Sequence, residues 1–267
     1  MNRIEARFNQ LKSNGKKALI PYVTAGDPNP QVTVGLMHAM VEAGADIVEL
    51  GVPFSDPMAD GPVIQAACER ALEHHVSLRQ VLSMISEFRQ KDSETPVIIM
   101  GYLNPIEVLG YEAFSKMAVE AGVDGVLTVD MPPEEGHDFF QALSDVNIAP
   151  IFLLAPTSNA QRIEKITAMG RGFVYYVSLK GVTGVKSIDI DEVTNKLNEL
   201  RQFTDLPIGV GFGIRDAESA KSVAAVADAV VVGSSIVKRI EALKDAPEKI
   251  NADVSAFLAE LRQAIDS

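Results

Sequence analysis

Two acidic residues, Glu49 and Asp60, combine residue type and surroundings in the way that acid–base chemistry requires. Glu49 lies inside the apolar run Ile47–Gly51, where an ionised carboxylate is costly to bury and its pKa is expected to rise. A carboxyl group with a raised pKa can donate and accept a proton near neutral pH. Asp60 lies in the loop Val52–Pro62, which is too long to be only a tight turn. The sequence therefore predicts a pair of catalytic carboxyl groups.

Both acids have structural alternatives. Glu49 could be the buried ion-pair partner of a lysine or arginine, although no predicted strand contains a basic residue. Asp60 or Gly61 could cap a helix that begins at Pro62, since proline suits the first helical position and a carboxylate suits the positive end of the helix dipole. Both carboxylates are expected at the mouth of the barrel that is predicted below. Because they converge there, catalysis is favoured for the pair.

Two glycine clusters form the third chemical signal. Gly211–Gly213 and Gly233–Ser235 follow the last two predicted strands, and the second cluster runs into the helical stretch Ile236–Leu243. Glycines let backbone N–H groups approach phosphate oxygens, and a helix N-terminus adds positive potential. The loop Gly181–Gly184, after the sixth predicted strand, could add further donors. Plain turns are the alternative, but two clusters at these positions predict a site for a phosphate ester.

The elements that must position these residues alternate along the chain. Eight short β-branched or aliphatic runs are separated by amphipathic segments, and their almost entirely apolar character is typical of parallel strands buried on both faces. Eight βα units predict a (β/α)8 TIM barrel, whose active site lies at the carboxyl ends of the strands. An open doubly wound sheet is the alternative. The predicted strands are Ala18–Val23, Ile47–Gly51, Val97–Tyr102, Gly125–Val129, Pro150–Leu154, Phe173–Val177, Ile208–Gly211 and Ala229–Val232.

Two amphipathic segments flank the predicted barrel. An extra N-terminal helix, with Ile4, Phe8 and Leu11 at helical spacing, precedes the first strand and could close the lower end of the barrel. The segment Pro247–Ile265 also has the spacing of a core-facing helix. No linker, low-complexity tract or change of composition divides the chain, so residues 1–267 are expected to form a single catalytic barrel domain.

A weak internal repeat places an aspartate directly before three strands. The repeat occurs at Ala43–Asp46, Ala121–Asp124 and Ala225–Asp228. Residues that precede strands belong to the end of a barrel opposite the active site. These three aspartates are therefore predicted to be structural turn residues.

The composition excludes several classes of partner. The chain has 36 acidic and 24 basic residues and a net charge of −12, which opposes binding to nucleic acids and anionic membranes. Cys68 is the only cysteine, so no intrachain disulfide can form, and a reducing cytoplasm is the expected compartment. Met1–Leu11 lacks the apolar core of a signal peptide, and no apolar stretch approaches the ~18 residues of a membrane span.

The residues absent from the predicted strand ends narrow the reaction class. All four histidines fall in predicted helical stretches, so no metal site is expected at the mouth. No predicted strand contains a lysine that could form a Schiff base, and no dinucleotide-binding motif follows the first strand. Acid–base chemistry on a phosphorylated small molecule, without a cofactor, is the remaining expectation. The histidines are His38, His74, His75 and His137.

Two long motifs, Leu19–Pro28 and Val48–Pro62, resemble the tryptophan synthase alpha subunit family. The second motif is highly specific and contains both predicted catalytic acids. The resemblance extends over essentially the whole chain. The other similar segments are Gly101–Pro105, Asp130–Pro132, Leu154–Ser158, Gly181–Gly184 and Gly211–Ile214.

The resemblance implies a reaction and a partner. The reaction is the retro-aldol cleavage of indole-3-glycerol phosphate to indole and glyceraldehyde 3-phosphate, with no cofactor in this chain. Indole would pass to a pyridoxal-phosphate-dependent beta subunit, which joins it to serine, in an α2β2 complex. Partner loops are expected at the barrel mouth, around Pro53–Asp56, Asn104 and Pro132.

The resemblance also implies roles for individual residues. Glu49 would be the acid and base, and the Asp60 carboxylate would receive the ring N–H and stabilise the cation that develops on the ring. Tyr175 would assist by hydrogen bonding, with a buried core tyrosine as the alternative. The phosphate would be bound by Gly184, Gly213, Gly233 and Ser234. Thr183 would also bind the substrate and could bond to Asp60. An apolar slot for the indole ring would be formed by Tyr22, Met100, Tyr102, Leu127, Val129, Leu153 and Phe212.

Two positions depart from the family pattern. Tyr22 stands where a phenylalanine is common, and Leu179-Lys180 stand where some members have arginine first. Leu179 cannot anchor a closing loop as an arginine would, so the family pattern transfers least to loop closure.

Two other functions use the same features. A phosphosugar isomerase could combine the barrel with the phosphate loops, and a regulatory module could bind ligand chiefly to activate a partner. Release of indole from indole-3-glycerol phosphate separates the first from a lyase. Turnover in the presence of the beta subunit distinguishes an enzyme from a regulatory module, which would bind ligand without turnover.

Overall fold

Eight parallel strands close into a barrel in the computed structural model, which describes residues 1–177, 189–211 and 213–267. Each strand pairs with the next along the chain, and the eighth pairs with the first. This confirms the predicted (β/α)8 barrel, and every predicted run agrees with a strand to within one residue at each end. The strands are β1 Ala18–Thr24, β2 Val48–Gly51, β3 Val97–Gly101, β4 Gly125–Thr128, β5 Ala149–Leu154, β6 Val174–Val177, β7 Ile208–Gly211 and β8 Ala229–Val232.

The described residues form twelve α-helices, most of which connect one strand to the next. The predicted segment Pro247–Ile265 begins as a 3₁₀ turn, Pro247–Lys249, before the last helix. Within the described part of the chain, no helix is both long and apolar enough to cross a bilayer. The helices are α1 Arg3–Ser13, α2 Pro30–Glu42, α3 Pro62–Glu73, α4 Leu78–Arg89, α5 Leu103–Leu109, α6 Tyr111–Ala121, α7 His137–Asp145, α8 Ala160–Met169, α9 Ile190–Leu200, α10 Ala217–Ala224, α11 Ser234–Ala242 and α12 Ile250–Ile265.

The barrel interior is an apolar cluster separate from the layer between strands and helices. Alternate residues of each strand point inward, as the strand period of two requires. The register sets Tyr22 of β1 beside Glu49 of β2, and Leu153 of β5 beside Tyr175 of β6. These four side chains therefore share the interior near the carboxyl ends of their strands.

Helix α1 fills the amino-terminal end of the barrel. Its apolar residues Ile4, Phe8 and Leu11 belong to the interior cluster, and the ring of Phe8 lies 5.7 Å from that of Phe173 on the approach to β6. The N-cap Asn2 accepts from the Ile4 N–H at 2.8 Å and donates to the Asp124 carbonyl at 2.8 Å. The predicted role of this helix in closing the lower end is confirmed.

The three repeated aspartates hold the strands at this same end. Each carboxylate accepts a hydrogen bond from the first or second backbone N–H of a neighbouring strand. Each also faces basic side chains; Asp124, for example, pairs with Arg3 at 2.9 Å and Arg89 at 2.8 Å. The internal repeat in the sequence is thus one recurring strand-to-strand contact. The bonds are Asp46 to Leu19 N at 2.9 Å, Asp124 to Val97 N at 2.9 Å and Asp228 to Ile208 N at 3.0 Å.

Candidate active site

Glu49 lies near the carboxyl end of β2 and points into the barrel, with only 1% of its surface exposed. Both of its carboxylate oxygens are buried and lack a hydrogen-bond partner among the described residues. Burial raises its pKa to about 8, and the negative charge of Asp60 adds to the shift. The ion-pair alternative therefore finds no partner among the described residues, and the raised pKa favours the protonated form of Glu49 near neutral pH.

Asp60 lies in the loop between β2 and α3, where its carboxylate is half-buried. The hydroxyl of Tyr102 donates to Asp60 Oδ2 at 2.9 Å. Burial raises the pKa of Asp60, and the hydrogen bond from Tyr102 opposes that rise. The N-cap of α3 is Gly61, which has no side chain to offer, and Pro62 is the first helical residue. The capping alternative is thus confirmed for Gly61 but not for Asp60, whose carboxylate bonds to Tyr102 instead of capping α3.

Two tyrosine hydroxyls lie over glycines of the neighbouring strands. The Tyr22 hydroxyl, 3.3 Å from Thr24 Oγ1, occupies the space that a side chain on Gly51 would need. The Tyr175 hydroxyl occupies the corresponding space above Gly211. Burial raises the pKa of both phenols, and the charges of the nearby acids Glu49 and Asp60 raise it further. Tyr175 therefore stays protonated beside the two acids, as a hydrogen-bond donor must.

The predicted indole slot coincides with the upper part of the barrel interior. Met100, Val129, Leu153 and Tyr175 pack on the interior cluster and are only partly buried, whereas the residues below them are fully buried. This difference marks an apolar floor that is reachable from the mouth. Leu127 is buried in the same cluster, and Tyr22 packs with Met100 in an adjoining cluster.

Tyr102, which was expected in the apolar slot for the indole ring, also makes contacts that the sequence did not indicate. Its ring stacks on Phe54 at 5.1 Å between centroids, and its hydroxyl is engaged by the loop that carries Asp60. The hydroxyl accepts from the Ala59 N–H at 2.9 Å and donates to Asp60. The sequence gives the residue type at this position but not the direction of its hydroxyl.

The two described glycine clusters meet at the end of the barrel beside Tyr22. Gly233 is the N-cap of α11 and Ser234 is its first residue, with no side-chain cap on the helix. A left-handed backbone at Gly213, with φ of 76°, turns the loop after β7, and Ser235 Oγ donates to the Ile214 carbonyl at 2.7 Å, which joins the two loops. Free N–H groups in the first turn of a helix are a ready anion site.

Three residues predicted to bind the substrate or its phosphate lie outside the described part of the chain. The two residues that depart from the family pattern after β6 also lie outside it. These are Phe212, Thr183 and Gly184, together with Leu179 and Lys180.

The histidines lie away from the strand ends, with one correction to their expected positions. His38 and His137 lie within helices, but His74 ends α3 as its C-cap and His75 follows it with a left-handed φ of 56°. Among the described residues, no three His, Cys, Asp or Glu side chains are grouped as metal ligands would be.

Two contacts around the Asp60 loop were not predicted. Gln65 on α3 donates its side-chain amide to the Asp60 carbonyl at 2.9 Å. Cys68, one turn further along, receives a hydrogen bond from the backbone of Phe54, and burial raises the pKa of its thiol to about 11. The signal that could have indicated Gln65 is its position at the start of the helix that follows the loop.

Comparison with known proteins agrees with this geometry. Residues 8–266 match the family described as "Tryptophan synthase alpha chain". The tryptophan synthase alpha chain of Thioalkalivibrio sulfidiphilus is 65% identical over 266 residues, with 100% of both chains covered. The crystal structure of tryptophan synthase subunit alpha from Legionella pneumophila is 46% identical with a TM-score of 0.94, covering 100% of this chain and 99% of that one.

A third relative comes from an assembled enzyme. The crystal structure of the tryptophan synthase complex from Pyrococcus furiosus contains a chain that is 36% identical, with a TM-score of 0.82, covering 92% of this chain and 98% of that one. The match spans the sequence and the fold, including the strand that carries Glu49 and the loop that carries Asp60. The chain belongs to the tryptophan synthase alpha chain family.

Proposed function

We propose that this chain cleaves indole-3-glycerol phosphate to indole and glyceraldehyde 3-phosphate, with Glu49 as the acid and base and Asp60 as the carboxylate that binds the indole N–H. The family supplies the reaction. The observation that carries the residue roles is the contrast between two acids at one mouth. Glu49 is buried, has no hydrogen-bond partner in the described part of the chain and has a pKa raised to about 8, whereas Asp60 receives a hydrogen bond from Tyr102. Two carboxyl groups in such different environments suit different tasks.

The first step is proton transfer from Glu49 to indole C3. It leaves positive charge on the ring nitrogen, which the ionised carboxylate of Asp60 stabilises through the ring N–H. Fixed charge placed where charge develops is the largest contribution of many active sites. Tyr102 supports this role, because its hydrogen bond favours the ionised form of Asp60.

The second step breaks the carbon–carbon bond. Glu49, now ionised, accepts the proton of the glycerol hydroxyl next to the ring, and the carbonyl of glyceraldehyde 3-phosphate forms. The electron pair of the broken bond returns to the ring and restores neutral indole. Glu49 is protonated again at the end, so the cycle is complete without a cofactor in this chain.

The apolar floor and the phosphate loops would orient the two ends of the substrate. Met100, Leu127, Val129 and Leu153 would lie against the indole ring, with Tyr22 beside them and Tyr175 donating a hydrogen bond near Glu49. Burial of a planar aromatic ring against such side chains is favourable by roughly 25 cal/mol per Å².

The phosphate would bind where the two described glycine loops meet. Gly213, Gly233 and Ser234 offer backbone N–H groups and one hydroxyl at the positive end of α11. The remaining proposed contacts, Gly184, Thr183 and Phe212, lie outside the described residues.

The proposed partner is a pyridoxal-phosphate-dependent beta subunit in an α2β2 complex. The Pyrococcus relative occurs in a tryptophan synthase complex. At the mouth of this barrel, Met58 is 86% exposed and Val108 is 81% exposed, which is the apolar exposure that a partner would cover. The nearby loops at Pro53–Asp56, Asn104 and Pro132 are the proposed contacts. A single barrel domain over residues 1–267 in the cytoplasm completes the proposal.

The test is release of indole from indole-3-glycerol phosphate by the purified chain, with and without the beta subunit. The proposal expects indole in both assays and loss of it in Glu49→Gln. Binding without indole release, even with the beta subunit present, would indicate a regulatory module. Isomerisation of a phosphosugar without indole release would indicate the isomerase.

A further inference from the structure

The turn Pro57–Asp60 is held by a side chain of the helix that follows it. The turn is closed by a hydrogen bond from the Asp60 N–H to the Pro57 carbonyl at 3.0 Å. Gln65 donates its side-chain amide to the Asp60 carbonyl at 2.9 Å and to the Pro57 carbonyl at 3.4 Å. One side chain therefore connects the carbonyl groups at both ends of the turn.

The opposite side of the turn is held from a different βα unit. Tyr102, which follows β3, accepts a hydrogen bond from the Ala59 N–H and donates one to the Asp60 carboxylate, both at 2.9 Å. The phenol thus fixes the side chain of Asp60, whereas Gln65 fixes its backbone. The two contacts act on different parts of the same residue.

Hydrogen bonds must determine the geometry here because the turn has little packing. Ser55, Asp56, Met58 and Ala59 are exposed, and exposed loops with few buried contacts open easily. A catalytic carboxylate has to be held within ~0.5 Å of its productive position. Even a ~1 Å displacement can cost a factor of ~10² in rate.

We propose that Gln65 is a positioning residue for the cleavage reaction, which fixes the backbone of Asp60 so that its carboxylate meets the indole N–H. The proposal rests on the function proposed above. Both partners of Gln65 are carbonyl oxygens, which only accept hydrogen bonds. The role therefore requires an amide donor, and an ionised glutamate of the same size cannot fill it.

The first test compares Gln65→Ala and Gln65→Glu with the control Gln10→Glu, an exposed glutamine on α1 at the far end of the barrel. Both variants of Gln65 are expected to lower kcat by ~10-fold or more with little change in KM, because the phosphate and indole contacts remain. Gln10→Glu is expected to leave both constants unchanged. Equal kcat in Gln65→Ala and the wild type would overturn the proposal.

The second test separates the backbone contact from the carboxylate contact by the pH profile of kcat/KM. Tyr102→Phe removes a donor to Asp60, which raises the pKa of Asp60, so the acid limb is expected to move to higher pH. Gln65→Ala is expected to lower the plateau without moving that limb; a shift of the limb would contradict a purely positional role. Among the described residues, the other titratable groups whose charges interact with Asp60 are Glu49, Tyr22, Tyr175 and Cys68.

A readout that needs no activity completes the design. Hydrogen exchange of the Asp60 amide is expected to be faster in Gln65→Ala than in the wild type, and unchanged in Gln10→Glu. Unchanged exchange in Gln65→Ala would overturn the proposed role of Gln65 in fixing the backbone of Asp60. If the wild type releases indole and Gln65→Ala matches it, only the positioning role fails. If the wild type releases none with the beta subunit present, the proposed function fails and the positioning role falls with it.

Discussion

Tyr22 and Glu49 are paired in register on adjacent strands, and both point into the barrel near its mouth. The Tyr22 hydroxyl bonds to Thr24 Oγ1 at 3.3 Å and not to Glu49, and both oxygens of Glu49 lack a hydrogen-bond partner among the described residues. A buried carboxyl group without donors keeps its proton, since nothing compensates for its loss of water. Glu49 is therefore the proton donor with which the proposed reaction begins.

Glu49→Gln is expected to lower indole release by roughly 10³-fold or more, because the amide can neither donate a proton to C3 nor accept one from the hydroxyl. Binding of a substrate analogue should be nearly unchanged, since the side chain keeps its size. Steady-state kinetics and calorimetric binding check the two expectations. Turnover near that of the wild type would remove Glu49 from the acid–base role.

The same substitution is expected to change how stability depends on pH. The pKa of Glu49 is raised from 4.5 to about 8 in the folded chain, so the folded state retains a proton that the unfolded state loses between these values. The free energy of unfolding therefore falls as pH rises through this range. Thermal melts of Glu49→Gln should show a weaker fall between pH 5 and 8 than the wild type, within the range set by these values. Parallel curves for the two proteins would contradict the raised pKa.

Asp60→Asn is expected to lower kcat by ~10²–10³-fold, the usual cost of losing one electrostatic contact to a transition state. The melting temperature should change little, because Asp60 does not cap α3 and Gly61 has that position. Kinetics and differential scanning calorimetry measure the two effects. A normal rate with a lower melting temperature would restore the structural interpretation of this residue.

Ser234→Ala is expected to weaken substrate binding by ~1 kcal/mol, the value of one hydrogen bond, because backbone groups would still bind the phosphate. This corresponds to a rise in KM of about five-fold with kcat unchanged. Titration with glyceraldehyde 3-phosphate provides an independent check. If binding disappears altogether, or does not change at all, the phosphate site has been assigned to the wrong residues.

Asp124→Ala is expected to destabilise the fold by ~3–5 kcal/mol, since it leaves the partly buried Arg89 without its carboxylate and removes the bond to the Val97 N–H. The residue lies at the end of the barrel opposite Glu49, so kcat of the folded variant should stay within ~2-fold of the wild type. Urea denaturation and kinetics measure these quantities. A large loss of kcat without destabilisation would mean that this end of the barrel takes part in catalysis.

The eight strands could be predicted to within one residue because parallel strands buried on both faces leave continuous apolar runs in the sequence. Glu49 could be predicted for the same reason, since a charged residue interrupts such a run. The directions of side chains in loops could not. Tyr102 was expected to line the apolar slot, and nothing in the sequence indicated that its hydroxyl would also bond to Asp60 in the loop of a separate βα unit. The contact of Gln65 could not be predicted either, because it depends on the Pro57–Asp60 turn lying against the first turn of α3.

Helix α1, which fills the amino-terminal end of the barrel, leaves only the opposite end open to a substrate. With Ile4 and Phe8 packed into one end of the barrel, the proposed reaction would take in substrate and release both products through the opposite rim. The proposed beta subunit, if it sits on that rim, would meet each indole molecule as it leaves the barrel.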